Sequence, residues 1–215
     1  MIVSSLRIGP EKNFCYLIMC SDTGKTALID PSFDFQRIKD WVDETATKNQ
    51  VKACEVTYFL ATHGHWDHAG GFGEMHQIYP KALVVAHASE KARLQELDVN
   101  LDVPLSDGEV FYLGGVPIQA IHTPGHTVGG CCYLTGNQLF SGDTLFIGQC
   151  GRTDLSGGSD SDLFLSLQKL KALDPTLTVR PGHDYGRTPF ATLAAEIQTN
   201  PTLKAASLKE FVALP

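Results

Sequence analysis

Charge is scarce in this chain, and what there is leans negative. Only 19% of its 215 residues are Asp, Glu, Lys or Arg, and 24 acidic against 17 basic side chains leave a formal net charge of −7. A broad nucleic-acid-binding face needs clustered Lys and Arg, so no nucleic-acid partner is expected. No Cys-x-x-Cys pair occurs among Cys15, Cys20, Cys54, Cys131, Cys132 and Cys150. That sets aside a cysteine zinc ribbon and a thioredoxin-type redox motif, and free, mostly buried thiols are expected. Long apolar runs are missing too. None approaches the roughly 20 residues of a membrane-spanning helix. The opening MIVSSLRIGPEKNF has no basic region leading into an apolar stretch, so neither a secretory signal nor a membrane association is expected. The expected location is the cytoplasm. No Pro-, Gly- or Ser-rich linker and no repeat interrupts the chain, and residues 1–215 read as a single domain.

What remains is an ordinary globular composition, 43% apolar, in a chain long enough to bury about 70% of its unfolded surface. Short apolar runs at 4–8, 14–20 and 26–30 read as strands. Residues 34–49 have helical spacing at Phe35, Ile38, Trp41 and Val42. A strand over 55–62 runs into a His-rich loop, followed by a helix opening near Gly70-Gly71, a strand at 81–87 and a short helix at 89–97 capped by Ser89. From Glu109 strands dominate, up to the Gly-rich segment GQCGRTDLSGGSD. Residues 161–173 form the clearest amphipathic helix, with Leu163, Leu167, Leu170 and Leu173 on one face. A last strand runs into PGHD, and the final thirty residues read as helix broken at Asn200-Pro201. Runs of strands interrupted by single helices point to an α/β sandwich of two sheets with helices outside.

The chemistry concentrates in Thr62-His63-Gly64-His65-Trp66-Asp67-His68. Three imidazoles and a carboxylate within six residues, beyond a strand end, can converge on a metal ion, and this donor set suits zinc, iron or manganese. Three further candidates each lie at a strand end beside a Gly or Pro turn: His126 in HTPGHT, Asp143 in FSGDTLF and His183 in VRPGHDYG. Taken singly each is an ordinary turn residue. Together they make seven donors, enough for two ions with a shared carboxylate. His122 reads as a supporting or structural residue, and His76 and His87 as structural. Trp66, projecting from the metal loop, is expected to line the pocket ahead of Phe146.

The pattern H-x-H-x-D-H followed by a distant His, Asp and His resembles the metallo-β-lactamase superfamily. Asp30, ending the strand TALID, matches a recurrent acidic position there. The resemblance implies a four-layer αββα sandwich with metals in a cleft at one edge of the sheets. It also implies that His63, His65 and His126 hold one ion, that Asp67, His68 and His183 hold a second, and that Asp143 bridges them. Within the superfamily, His68 departs from the Arg of the zinc β-lactamases that use a Cys ligand, and His65 departs from the Glu of flavodiiron proteins. The segments GDTLF, GQCGRTD and PGHDYG are similar to those of glyoxalase II-like hydrolases and of persulfide dioxygenases, both of which handle glutathione conjugates. Arg152 takes the place of a substrate-binding Lys of glyoxalase II, no Tyr follows it, and a longer C-terminal helical segment is expected to be missing.

Two mechanisms share these residues. As a glyoxalase II-like enzyme the protein would cleave a small thioester with water activated by two divalent ions, zinc or iron or both. Asp67 would orient the nucleophile, and Arg152 and Tyr185 would hold a substrate carboxylate. As a persulfide dioxygenase it would use one iron held by two imidazoles and Asp143. A lactonase would share every ligand. A purely structural metal module would favour a closed, Cys-rich site, unlike this donor set. A homodimer is left open.

Overall fold

Alternation along the strands sorts the core into layers. The computed structural model describes residues 1–214. Its first sheet runs in chain order through β1 (Ile2–Ile8), β2 (Asn13–Met19), β3 (Lys25–Ile29), β4 (Glu55–Leu60), β5 (Leu83–His87) and β6 (Val103–Leu105). β1, β2 and β3 pair antiparallel, and β3 through β6 pair parallel. The second sheet is built from β7 (Val110–Leu113), β8 (Val116–His122), β9 (Cys131–Thr135) and β10 (Gln138–Gly142). After a small hairpin of β11 (Leu145–Phe146) and β12 (Gln149–Cys150), it is completed by β13 (Thr178–Pro181) and β14 (Ala191–Thr192), in the spatial order 14-13-10-9-8-7.

Successive side chains of a strand point to opposite faces, and here both faces are buried. In β2, Phe14, Tyr16 and Ile18 face the second sheet, while Cys15, Leu17 and Met19 face outward. The outward set packs on helices α1 (Phe35–Lys48), α3 (Phe72–Ile78) and α4 (Lys91–Glu96), through Ile38, Val42, Phe72, Met75 and Leu94. A one-turn helix α2 (Trp66–Ala69) precedes α3. In the second sheet Tyr133 and Phe140 face inward, and Cys132 and Leu139 face outward onto α5 (Asp160–Lys171), α6 (Leu193–Thr199), α7 (Pro201–Lys204) and α8 (Leu208–Val212). The result is the expected αββα layering. Among the described residues no helix is long and apolar enough to cross a membrane.

Topology places the site. β8 and β9 are antiparallel, β9 and β10 are antiparallel, and β10 and β13 are parallel. The C-terminal ends of β8, β10 and β13 therefore lie at one edge of the second sheet. The end of β4 joins them there, because the Cys131 amide donates to the Thr62 carbonyl (2.8 Å) and the Tyr133 hydroxyl to the Ala61 carbonyl (2.8 Å). The start of β2 closes the same edge, with the Phe14 amide donating to the Gly182 carbonyl at 2.8 Å.

The structure departs from the sequence reading in small elements. β6, β11, β12 and β14 have two or three residues each, too few for a periodic signal. Ser89 is not a helix cap. It lies inside a 3-10 turn (Ala88–Glu90) where its own amide donates to His87 Nδ1, and α4 starts at Lys91. The break at Asn200-Pro201 is as expected: α6 ends at Thr199 and α7 starts at Pro201. Asn200 is fully buried. Its amide donates to the carbonyls of Phe146 (3.2 Å) and Gln149 (3.1 Å) and to Glu196 (2.9 Å), while its oxygen accepts from the Thr202 amide (3.0 Å) and hydroxyl (2.7 Å). One side chain thus caps α7 and pins the β11–β12 hairpin. Asn200→Ala is expected to lower unfolding free energy by about 2–4 kcal/mol, because it leaves several buried groups unpaired. Urea denaturation followed by circular dichroism checks it, and a loss under about 0.5 kcal/mol would contradict the role.

Candidate metal centre

All seven candidate donors meet at the edge where these strand ends converge. His63 and His65 follow β4, and Asp67 and His68 lie on α2, so part of the expected loop is helical. His126 follows β8, Asp143 follows β10 and His183 follows β13. Three groups have ligand atoms within 4.8 Å of one another: His63, His65 and His126; His63, His68 and Asp143; and Asp67, His68 and His183. Asp143 stands between them, with one oxygen 3.4 Å from His68 Nε2 and the other 3.6 Å from His126 Nε2 and 3.3 Å from His183 Nε2. Asp143 could therefore be shared by two cations.

Four of the five rings have one nitrogen tied back to the protein and the other aimed inward. His126 Nδ1 donates to the Arg152 carbonyl (2.7 Å), and His183 Nδ1 to the Glu11 carbonyl (2.9 Å). His68 Nδ1 donates to Asp30 Oδ2 (2.9 Å). His63 Nδ1 lies 3.1 Å from the Thr62 hydroxyl, which itself donates to Asp30 Oδ2 at 2.7 Å. Such outer partners fix the tautomer and leave Nε2 free to bind a cation. His65 presents Nδ1 instead, 3.0 Å from His126 Nε2.

These residues fit a metal. His63 Nε2 and Asp143 Oδ1 are buried without a hydrogen-bond partner among the described residues, and an unpaired buried polar atom is costly. Nitrogen faces nitrogen at His65–His126 and again at His68–His183, 3.1 Å apart. A cation held by His63, His65 and His126, and a second held by Asp67, His68 and His183, would give these inward atoms partners.

The electrostatics agree. Burial, then the neighbouring His68, His126, His65 and His183, push His63 far below the usual imidazole range. Burial, then His126 and Arg93, lower His65 to about 4. Burial also opposes charge on His68, but Asp143, Asp30 and Asp67 outweigh it and raise that ring to about 10. Asp143 is driven below the ordinary carboxylate range against its burial, first by His68 and then by His183 and His126. His63 and His65 are thus neutral and ready to coordinate. The proton held on His68 is the positive charge that a bound cation would replace.

Residues 8–183 match the family described as the Metallo-beta-lactamase superfamily. The chain belongs to this superfamily. It is 34% identical over 201 residues to a probable polyketide biosynthesis zinc-dependent hydrolase, BaeB, of Bacillus velezensis, covering 93% of this chain and 85% of that one. It is 33% identical over 200 residues to the hydroxyacylglutathione hydrolase of Rhodospirillum rubrum, covering 92% and 72%. Among solved structures, that of ETHE1 from Myxococcus xanthus superposes with a TM-score of 0.85 at 29% identity, covering 100% of this chain and 92% of that one.

Around this superfamily centre lies a cleft of about 380 Å³, lined by His65, Asp67, His126, Asp143 and His183 together with Phe146, Leu155, Arg152 and Tyr185. Tyr185 stacks on His183, ring centroids 4.7 Å apart. Arg152 lies at the rim, and its guanidinium forms a two-pronged pair with Asp154, both bonds 2.6 Å. Trp66 corrects the sequence reading. It is 58% exposed, packs edge-on against Phe33 and does not line the cleft, whereas Phe146 does. The helical turn of α2 explains this, since successive residues there point about 100° apart. His122 is not at the metal centre. It stacks flat on His87 at 3.7 Å and donates to the Val128 carbonyl. His76 donates to the Ala82 carbonyl. Both are structural.

Two supporting residues escaped sequence reading. Asn13 is fully buried and donates to Asp67 Oδ2 (3.0 Å) and to the Asp67 carbonyl (3.1 Å). Glu90 lies behind the first histidine group. Neither stands in the His-rich motif, and a lone Asn at a strand start carries no pattern. Asp30 was legible, and its backbone is left-handed (φ 51°), a conformation that costs a non-glycine residue about 1–3 kcal/mol. That cost persists because its carboxylate holds His68 and both the amide (2.8 Å) and hydroxyl of Thr62. Asp30→Ala is expected to weaken metal binding by about 10–100-fold, measured by calorimetric zinc titration of the apo-protein. Unchanged binding would show that His68 needs no support.

Proposed function

We propose that the protein is a glyoxalase II-like metallohydrolase that cleaves a small thioester of the glutathione-conjugate class, working in the cytoplasm. The observation that carries this reading is the pair of donor groups on either side of Asp143, which suits two divalent ions, zinc or iron. Such a pair lowers the pKa of a shared water and polarises a carbonyl. The likeness to named hydroxyacylglutathione hydrolases supports the same chemistry, and six free cysteines agree with a reducing compartment.

The chain's own residues then have separable tasks. Asp67, held by Asn13, would help hold the second ion and orient the attacking water. Phe146 and Leu155 give the cleft an apolar wall that limits competing water. Tyr185 offers a phenolic donor, and Arg152 a guanidinium, to a carboxylate on the thiol carrier. Arg152 must partly release Asp154 to do so, which is inexpensive for an exposed pair. Beside the cleft a second groove of about 410 Å³ shares Gln149, Cys150, Gly151 and Arg152 with it, so there is room for an elongated substrate. A thioester fits this arrangement, because a thiolate leaves without prior protonation by a strong acid.

One observation favours a second reading, a mononuclear iron persulfide dioxygenase. His63 shares one donor group with His126 and another with Asp143, and Asp143 lies 3.6 Å from His126 Nε2; two imidazoles and a carboxylate suit iron with open positions.

Turnover of S-lactoylglutathione by metal-replete protein, followed by loss of thioester absorbance and abolished by a chelator, is the expected result. Asp67→Ala should reduce that turnover by at least about 100-fold while the protein stays folded. Absence of thioesterase activity together with oxygen uptake on glutathione persulfide, retained in Asp67→Ala, would replace the hydrolase reading with the dioxygenase.

A further inference from the structure

Glu90 is 1% exposed, yet it carries a carboxylate that touches no metal-binding candidate directly. The sequence places it in the first turn of a surface helix, where it would be solvated. The structure turns it inward from the 3-10 turn after β5. Its Oε2 accepts from the Gly64 amide at 3.0 Å, and its Oε1 accepts from the Gly129 amide at 3.0 Å and from the Thr127 hydroxyl. Gly64 stands between His63 and His65, and Thr127 follows His126. One buried carboxylate therefore ties together the two segments that supply all three histidines of the first group.

Glu90's main compensation is these three donors. Arg93 Nε is 4.0 Å away and contributes a weaker pairing. A buried carboxylate is retained at such a place only if its hydrogen bonds are made. Both anchored segments are built for close approach. A side chain at Gly64 would put its Cβ 2.8 Å from Glu90 Oε2, and one at Gly129 would put it 2.6 Å from the Glu90 amide nitrogen. Asp30 supports His68 directly and His63 through Thr62, but it reaches neither His65 nor the loop that carries His126.

We infer that Glu90 is the positioning residue of the three-histidine metal group, fixing the spacing between His65 and His126 by holding both loops from behind. The inference rests on the metal assignment proposed above. Glu90→Gln keeps the shape but replaces one acceptor oxygen with an NH2. That NH2 must face either the Gly64 amide or the Gly129–Thr127 pair, so one loop loses its anchor. Thr127→Val removes only the hydroxyl contact.

The test is stepwise zinc titration of apo-protein by calorimetry, with Asp67→Ala marking which step belongs to the second group. Glu90→Gln should weaken zinc at the three-histidine group by about 10–100-fold and change the other step by less than about threefold. Thr127→Val should weaken the same step by a smaller factor, and Thr127→Ser should restore it. Equal weakening of both steps, or none, in Glu90→Gln overturns the inference. If Glu90→Gln does not fold, the Thr127 pair decides: parental binding by Thr127→Val overturns it, and selective weakening rescued by Ser upholds it. A parent chain that takes up no zinc instead refutes the metal assignment itself, and the inference with it.

Discussion

Imidazole rings and a carboxylate are packed away from water with their free lone pairs facing one another, and much of the architecture exists to hold them there. Such an arrangement is unfavourable on its own. His63 Nε2 and Asp143 Oδ1 lack partners, and two nitrogen pairs approach to about hydrogen-bond distance. What maintains it is a frame of strand ends on which four of the five rings are tied by their backs. Backbone carbonyls of Glu11 and Arg152 hold two rings, and Asp30 holds a third and, through Thr62, a fourth. The energy for this comes from the layers around it, where both faces of each sheet are covered and both faces of strands such as β2 and β10 are buried.

The frame also explains a division of labour. The side of the cluster nearest the first sheet is set by elements far apart in sequence: Asp30 after β3, the His-rich segment after β4 and Glu90 after β5. Those three strands are parallel neighbours, or nearly so, in one sheet, so their ends are adjacent and their carboxylates can reach the same loop. The second sheet supplies His126, Asp143 and His183 from strands that point the same way. Convergence of ligands at one edge is thus a consequence of strand direction.

Much of this was legible in the residues. Strands longer than four residues, the amphipathic helix at 161–173 and the four donors from His63 to His68 carry local signals: alternation, leucine spacing, or a dense cluster of imidazoles; His126, Asp143 and His183 were legible only as members of the set. The αββα order followed from the family resemblance together with the strand runs. What stayed hidden had no local signal. Glu90 reads as a solvated helix residue because burial there is decided by loops 26 to 39 residues away. Asn13 is one polar residue at a strand start. Trp66 sits among ligands in sequence but is turned out of the cleft by a single helical turn. That the Arg152–Asp154 pair holds the guanidinium at the rim of the cleft emerges only from the structure.

The chemistry depends on whether the two donor groups act as one site. Adding zinc in increments to apo-protein while following thioester cleavage measures this directly. The account predicts that activity rises with the second equivalent per chain and reaches its plateau there. Full activity at one equivalent, or full activity with a single iron and oxygen consumption in place of hydrolysis, would contradict it.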